Sequence, residues 1–569
     1  MKKQILFLLL LFLWVIPVKS TDIEQVKPVK NLIVMIPDGT SLSIVSTSRW
    51  YQRYLDPDQT KLAIDPYLCG TVLTHSSTAP INDSAPAAST YMTGYLSLSG
   101  YVSTYPVSDK ENDIVPMDST RAYQPLATLL EAARIIQQKS TGLVFTCEFP
   151  HATPADCAAH SYQRDKYEWI APQMVHNDVD VVIGGGVSFL SESNEEYLKT
   201  NGYGVYKNNI NGMRNHTGDK MWVLFGERDM AYDIDRDPAQ QPSLEEITRI
   251  AIEKLSTNEQ GFFLMVEGSK VDWAAHANDP IGIITDFLAF DRACGVALDF
   301  ARQNGETAVV IVPDHGTGGI SLGRRDCIGY DRMTLAEHFH ALSQVKLTAE
   351  GLAQKLNEEP ATAIQQIFLE YAGFELSREE VYAMYQCRDY RNSPIPDSLR
   401  TNVGISPSLY NRSLSRFVGQ LITSKTCIGF TTGGHTGEEV FLAAYHPDDT
   451  RPMGMITNVE LNHYLAAMMG LSGQLDSLTA SCFVPHTEVF KGYEYEIISP
   501  AATDDEEETE GNPVLVVKKN NSRLIIEPFT NMVLSAEAGQ SPIKLSSVVV
   551  YVDANETFYL PRSLEDYLK

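Results

Sequence analysis

The chain has 569 residues, of which 43% are hydrophobic and 21% charged, and its formal net charge is −27 at pH 7. That length and balance suit one large catalytic domain with an appendage, or several ordinary domains, with a sizeable core. The acidic excess excludes a general nucleic-acid binder, which needs a basic footprint, and it repels anions at long range, so any phosphate site must be made locally positive by metal ions or a placed arginine.

Residues 1–20 predict a signal peptide. Lys2 and Lys3 precede an apolar run from Ile5 to Pro17, then Val18-Lys19-Ser20. The run is short for a bilayer span and no later segment is a candidate, so no stable membrane span is expected. The product is then exported, periplasmic or extracellular; an uncleaved N-terminal anchor is the plain alternative. The eight cysteines form no C-x-x-C pair, which disfavours a thiolate zinc site. An even number in an exported chain permits disulfides, and a bridge among Cys327, Cys387 and Cys427 is open without a choice of partners.

Residues 21–500 alternate short apolar runs with amphipathic stretches. Asn31–Ile36 (NLIVMI) reads as a buried strand ending in the turn Pro37-Asp38-Gly39, and similar runs recur at 143–147, 179–183, 262–266, 308–312 and 440–445. Helices are predicted over 125–139 with Pro125 at the first position, over 243–256 with a capping box of Ser243 and Glu246, and over 282–303 with a stop at Asn304-Gly305. The alternation predicts an α/β fold, a three-layer sandwich with a mainly parallel central sheet, whose ligands bind beyond the carboxyl ends of strands. Residues 321–426 break the rhythm, and helical pieces at 361–372 and 378–385 predict a cap-like insertion. The acidic run TDDEEETEG marks 501–512 as a linker, and 513–569, rich in Val, Ile and Tyr, predict a small β module.

Metal-ligating residue types fall at strand ends. Asp38 follows the first strand, Glu267 follows FFLMV, Asp272 and His276 lie just beyond, Asp314-His315 follow AVVIVP, and His435 sits in TTGGHTGEE before a strand. Singly, each has a plain reading: a helix cap, a packed histidine, an i,i+4 pair on a helix face. Together, several would meet at one edge of one sheet. Ser84 opens a predicted helix in Asn82-Asp83-Ser84-Ala85-Pro86. Its plain reading is an N-cap, yet the same geometry offers backbone N–H groups and the positive helix end to a phosphoryl oxygen. As a nucleophile its hydroxyl needs a base or a metal. His151-Ala152-Thr153-Pro154 reads as a helix entry capped by Thr153, with Arg164 about three turns on, one turn beyond His160. Arg164 reads either as a solvated helix residue or as a bidentate phosphate ligand.

These blocks resemble the alkaline phosphatase family, in particular exported bacterial members with a long insertion before the last zinc histidine. The resemblance is carried by Asp38-Gly39, Asp83-Ser84-Ala85 with Thr93-Gly94 downstream, His151-Ala152-Thr153-Pro154 through Arg164, Glu267-Gly268 through Asp272 and His276, Asp314-His315, and His435-Thr436-Gly437. Order and most spacings agree from about Val29 to Tyr445. The resemblance implies that 21–500 is the catalytic domain and that phosphate monoesters are hydrolysed through a phosphoserine on Ser84. It implies one zinc on Asp272, His276 and His435, a second on Asp38, Asp314 and His315, and a third ion, magnesium, on Asp38, Thr153 and Glu267. Arg164 would hold the phosphate, the substrates would be small-molecule phosphate monoesters, and the assembly would be a homodimer. The chain departs from the pattern at His151, where some members have Asp, at Trp273, where some have Lys, at Thr40-Ser41, and at Pro86. The module after Pro513 lies outside the resemblance.

Two rivals remain. Ser84-Ala85-Pro86-Ala87-Ala88 approaches a sulfatase signature, but Ala88 stands where that signature has Arg, and His276, His315 and His435 suit zinc rather than an oxygen-held calcium. A phosphodiesterase of the same superfamily would lack Thr153, Glu267 and Arg164. A non-enzymatic binder on a degenerate scaffold would lack a core residue, and none is missing.

Overall fold

The computed structural model describes residues 26–389, 414–499, 511–519, 522–535 and 541–568. The expected signal peptide lies outside the described residues; among them, no helix is long and apolar enough to cross a membrane.

A ten-stranded sheet forms the centre. Its strands are β1 (Asn31–Ile36), β2 (Leu68–Leu73), β3 (Ser140–Glu148), β4 (Val181–Gly185), β5 (Gly204–Lys207), β6 (Met221–Phe225), β7 (Phe262–Glu267), β8 (Thr307–Ile311), β9 (Val440–Tyr445) and β10 (Gly454–Thr457). They lie in the order β10-β2-β9-β8-β1-β7-β3-β4-β6-β5. All pairs are parallel except those of β9, which runs antiparallel to both β2 and β8. Alternate residues of β1 enter two cores. Ile33 and Met35 pack with helices Leu244–Leu255 and Pro280–Asn304, whereas Leu32, Val34 and Ile36 pack with helices Ser84–Thr93, Leu129–Ile135 and Asn458–Met469. Both faces are covered, so the strands are continuous apolar runs, and the three-layer expectation holds.

Local signals explain where helices begin and end, and some expectations need correction. Pro280–Asn304 is capped by Asp279, whose side chain accepts from Ile281 N, and stops at Gly305 with φ +71°. Ser243 caps Leu244–Leu255 by accepting from Glu246 N, but Glu246 spends its carboxylate on Arg214 rather than completing a capping box. The helix expected from Pro125 starts instead at Leu129, because Thr128 and Glu131 form a full capping box and Pro125 stays in an extended segment bridged to Thr104. Four strands escaped the periodicity reading: β2, β5, β6 and β10. The short edge strands β5 and β10 lack a fully buried face.

The described part of residues 321–426 is mainly helical after the short strand Ser321–Leu322, and it shares the core cluster of the sheet through Phe339, Leu352 and Phe417. The insertion leaves and re-enters beside two short, separate antiparallel pairings. Gly316–Thr317 pairs with His435–Thr436, Ser321–Leu322 pairs with Ile428–Gly429, and a disulfide joins Cys327 to Cys427. Cys387 is buried and is not part of that bridge. Replacing both bridging cysteines by serine removes a cross-link that spans a sequence separation of 100. The expected cost is about 2–4 kcal/mol in a urea melt, with reductant shifting the midpoint of the wild-type protein and not of the double variant.

The C-terminal boundary also moves. Glu494–Ile498 pairs antiparallel with Val514–Lys519, Ile498 opposite Val514, so the β module begins before the acidic run. The connection that contains it, of which 500–510 lie outside the described residues, joins two neighbouring strands of one five-stranded sheet. A three-stranded sheet of Val484–Pro485, Thr557–Leu560 and Val550–Val552 completes the module, and Val548, Val550 and Tyr559 reach the core of the large domain.

Candidate active site

The carboxyl ends of β1, β7 and β8 are neighbours, and each delivers an acid. Asp38 follows β1, Glu267 ends β7 and Asp314 follows β8; all three are fully buried. Because β9 is antiparallel to β8, its entry lies at the same edge, and the Thr317–His435 rung sets His435 there. Gly39 makes the crowding possible. It has φ +65°, and a Cβ there would lie 2.5 Å from Asp272 Oδ1.

Two clusters result. In the first, Asp38, Asp314 and His315 offer ligand atoms within 4.8 Å of one another. His315 Nε2 lies 3.5 Å from Asp38 Oδ1 and 3.4 Å from Asp314 Oδ2. In the second, Asp272, His276 and His435 do the same. His276 Nε2 lies 3.3 Å from Asp272 Oδ2 and 3.2 Å from His435 Nε2. Asp272 Oδ1 also accepts from Thr317 Oγ1 at 2.6 Å.

The three imidazoles share one arrangement. Each Nδ1 faces a backbone carbonyl: Gly433 O for His276 at 2.8 Å, Gly316 O for His315 at 3.3 Å, Asn82 O for His435 at 2.9 Å. A carbonyl only accepts, so each Nδ1 carries the proton and each Nε2 lone pair points into the site. Lone pairs facing one another and buried carboxylates repel unless a cation lies between them, and these donors fit zinc. The charge balance agrees. Burial, then the charges of Asp314, Asp272 and Glu267, push Asp38 well above the ordinary carboxylate range. Burial likewise pushes Glu267 up to about 8. Burial alone would raise Asp272, but His276, His315 and His435 hold it well below its ordinary value.

Ser84 Oγ lies 3.2 Å from His315 Nε2 and 3.5 Å from each oxygen of Asp38. Ser84 is not the cap of its helix. Asp83 is, accepting from Ser84 N at 2.8 Å, and Ser84 is the first helical residue. Pro86 falls in the first turn, where an N–H has no intrahelical acceptor, so it is tolerated. Thr40-Ser41 likewise has a local reason: Ser41 caps helix Leu42–Leu55.

Arg164 reaches the site by another route than expected. Helix Ala152–Ala158 begins after His151 and ends before His160, so Thr153 is inside it and Arg164 stands in the turn before helix Tyr167–His176. Arg164 Nη1 donates to Asp83 Oδ1 at 2.6 Å and Nη2 to His151 Nε2 at 3.1 Å. Burial opposes the charge on Arg164, but Asp83 more than offsets it and the guanidinium stays protonated. His160 is structural: it is buried between Glu131 and the Ser103 carbonyl.

Around Glu267 two further groups stand beside the expected Thr153. Cys147 and His151 join Glu267 within 4.8 Å, and Cys147 Sγ donates to Glu267 Oε2 at 3.3 Å. Thr153 Oγ1, Glu267 Oε1 and His151 Nδ1 are buried without a hydrogen-bond partner. The Trp273 ring stands edge-on to His151 at 5.9 Å, with Lys270 Nζ 4.1 Å from its centroid; Lys270 itself is buried and paired with Asp229. Cys147 and Asp83 were missed in the sequence. Cys147 precedes the last residue of β3, and only the β3–β7 pairing brings it to Glu267; Asp83 carried a signal, a good N-cap residue beside the serine.

A family model described as alkaline phosphatase matches residues 29–471. Alkaline phosphatase 4 of Bacillus subtilis (strain 168) is 30% identical over 445 residues, covering 76% of this chain and 87% of that protein. The alkaline phosphatase of Schizosaccharomyces pombe is 27% identical over 471 residues, 78% of this chain and 82% of its own. Among solved structures, a cold-active alkaline phosphatase from Shewanella sp. superposes with a TM-score of 0.64 at 25% identity, covering 77% of this chain and 99% of that one.

Proposed function

The chain belongs to the alkaline phosphatase family, phosphoric monoester hydrolases, and from that premise we propose that it passes the phosphoryl group of a phosphate monoester first to Ser84 and then to water. The observation that carries this reading is the environment of Ser84 Oγ. It is buried at the positive end of its helix, within 3.5 Å of Asp38 and His315, and its neighbour Asp83 holds Arg164.

Asp38, Asp314 and His315 would hold one zinc and Asp272, His276 and His435 another. Bound there, the two ions would supply Lewis-acid stabilisation of charge on the attacking and leaving oxygens. The chain does the positioning, which is most of what phosphoryl transfer needs. Asp38 and His315 orient Ser84 Oγ, the helix terminus favours the anionic oxygens, and Arg164 binds two of them in a bidentate fork that Asp83 keeps aimed. As the Oγ–P bond forms, Ser84 gives up its hydroxyl proton to solvent, the ester P–O bond breaks, and the departing oxygen takes a proton from solvent and leaves as the alcohol. Water then takes the phosphoryl group, the Oγ–P bond breaks, and inorganic phosphate is released.

The third position is less simple. The resemblance implies magnesium on Asp38, Thr153 and Glu267, whereas Cys147 Sγ and the His151 ring in the same cluster are donors that suit zinc and not magnesium. No step is assigned to it. Export and a homodimer belong to the same proposal, and the Cys327–Cys427 bridge supports export to an oxidising compartment.

The test is a substrate panel. p-Nitrophenyl phosphate should be cleaved faster than bis-p-nitrophenyl phosphate or p-nitrophenyl sulfate, and the reverse order would make the protein a diesterase or sulfatase. Arg164→Ala should raise KM and the inhibition constant of phosphate by about ten- to hundredfold, the worth of a charge-assisted pair of hydrogen bonds. Unchanged values would remove Arg164 from the site.

A further inference from the structure

The loop that carries Arg164 is held from two sides by two different parts of the molecule. On its inner side it is tied to the large domain through backbone bonds. Ser161 and Val102 exchange a pair at 2.9 and 2.7 Å, and Arg164 N donates to Gly100 O at 2.7 Å. On its outer side it meets the C-terminal module. Asp553 begins the tight turn Asp553–Asn555 between strands Val550–Val552 and Thr557–Leu560, a hairpin closed by Glu556 at φ +50°. Tyr162 Oη donates to Asp553 Oδ1 at 2.5 Å and Lys166 Nζ to Asp553 Oδ2 at 2.8 Å.

Tyr162 and Lys166 stand two residues before and two after Arg164. One carboxylate therefore bridges both shoulders of the turn whose apex is the phosphate-binding arginine. A second module contact backs the first. Lys166 Nζ lies 3.4 Å from the Trp169 ring centroid, and Trp169 stacks on Phe529 at 5.0 Å. Burial disfavours the charge on Asp553, but Lys166 and Tyr162 outweigh it and hold its carboxyl below the ordinary range.

An isolated exposed ion pair would mean little. This one is different in what it connects. The Arg164 head is fixed by Asp83 and His151, but its backbone lies in a turn with no helix of its own. A turn free on its outer side would have to be ordered each time a phosphate binds, at a cost in affinity. We propose that Asp553 is a positioning residue, through which the C-terminal module braces the Arg164 turn and raises affinity for the phosphoryl group; this rests on Arg164 being the phosphate ligand.

The experiment uses full-length protein and p-nitrophenyl phosphate, with inorganic phosphate as inhibitor. Asp553→Ala should raise KM and the phosphate inhibition constant by about three- to tenfold while kcat falls by less than about twofold. Asp553→Glu should recover part of the loss. Tyr162→Phe, which deletes one hydroxyl, should shift the same constants the same way by less, and it carries the test if Asp553→Ala loosens the module. In the Arg164→Ala background, Asp553→Ala should add nothing. The proposal is overturned if Asp553→Ala and Tyr162→Phe leave phosphate affinity unchanged, or if the Asp553 and Arg164 effects multiply. If Arg164→Ala alone leaves phosphate affinity unchanged, it is the reading of Arg164 that has failed, and the brace loses its object.

Discussion

Ser84→Ala is expected to lower kcat by about a thousandfold or more, because a nucleophile acting with oriented neighbours is lost as a unit. Acid quenching of wild-type protein during turnover of a labelled monoester should trap phosphate on Ser84, and the variant should trap none. The substitution deletes one buried hydroxyl and keeps the helix, whose cap is Asp83. Its melting temperature should therefore stay close to that of the wild type, so lost activity reports chemistry rather than folding. A variant with more than about a tenth of wild-type kcat, or with undiminished label, would mean that water attacks directly or that another residue is the nucleophile.

Chelation is expected to have an effect of similar size. Without divalent cations, three imidazoles and four buried carboxyl groups crowd one edge of the sheet with no ion to organise them, and activity should fall by at least about a hundredfold and return with zinc. A pH signature accompanies the loss. Burial pushes Glu267 from its ordinary 4.5 up to about 8, and although burial opposes it, Asp272 carries His276 from 6.5 up to about 9. Groups raised in the fold stabilise it below their unfolded values and lose that contribution as the pH climbs through the folded ones. His151, lowered by burial and by Arg164 to about 3, acts in the opposite sense, but only below about 6.5. Between about pH 7 and 9 the melting temperature of chelated protein should therefore fall, and added zinc should restore most at the alkaline end. Full activity in chelator, or a melting temperature that rises over that range, would remove the metal reading.

The two triads offered for zinc were legible because their members are chemically distinctive and sit at recognisable breaks. Asp38 follows six apolar residues and precedes a glycine; Asp314-His315 follow another apolar run. Such ends announce a sheet edge. Arg164 was legible as a residue and not as a place. The helix expected to carry it stops at Ala158, because Ala159 turns to extended backbone and the chain bonds to Val102. Cys147 was set aside with the other cysteines because no second thiol lies near it in the chain, although a carboxylate and an imidazole lie near it in space. The acidic run looked like a linker because charge repulsion and low hydropathy mark any solvent-exposed connection, including one between adjacent strands.

By itself the sequence determined the α/β class, the alternation of elements, and the kinds of side chain that end β1, β7 and β8. Those properties are local: apolar period, capping residues and turn formers act within a few positions of one another. Tertiary structure alone decided which ends meet. The order β9-β8-β1-β7-β3 sets five distant segments at one edge, the antiparallel turn of β9 delivers His435, and a hairpin from the far end of the chain backs the turn of Arg164. Strand order and docking depend on the summed burial of whole faces, and no short stretch of sequence carries that sum.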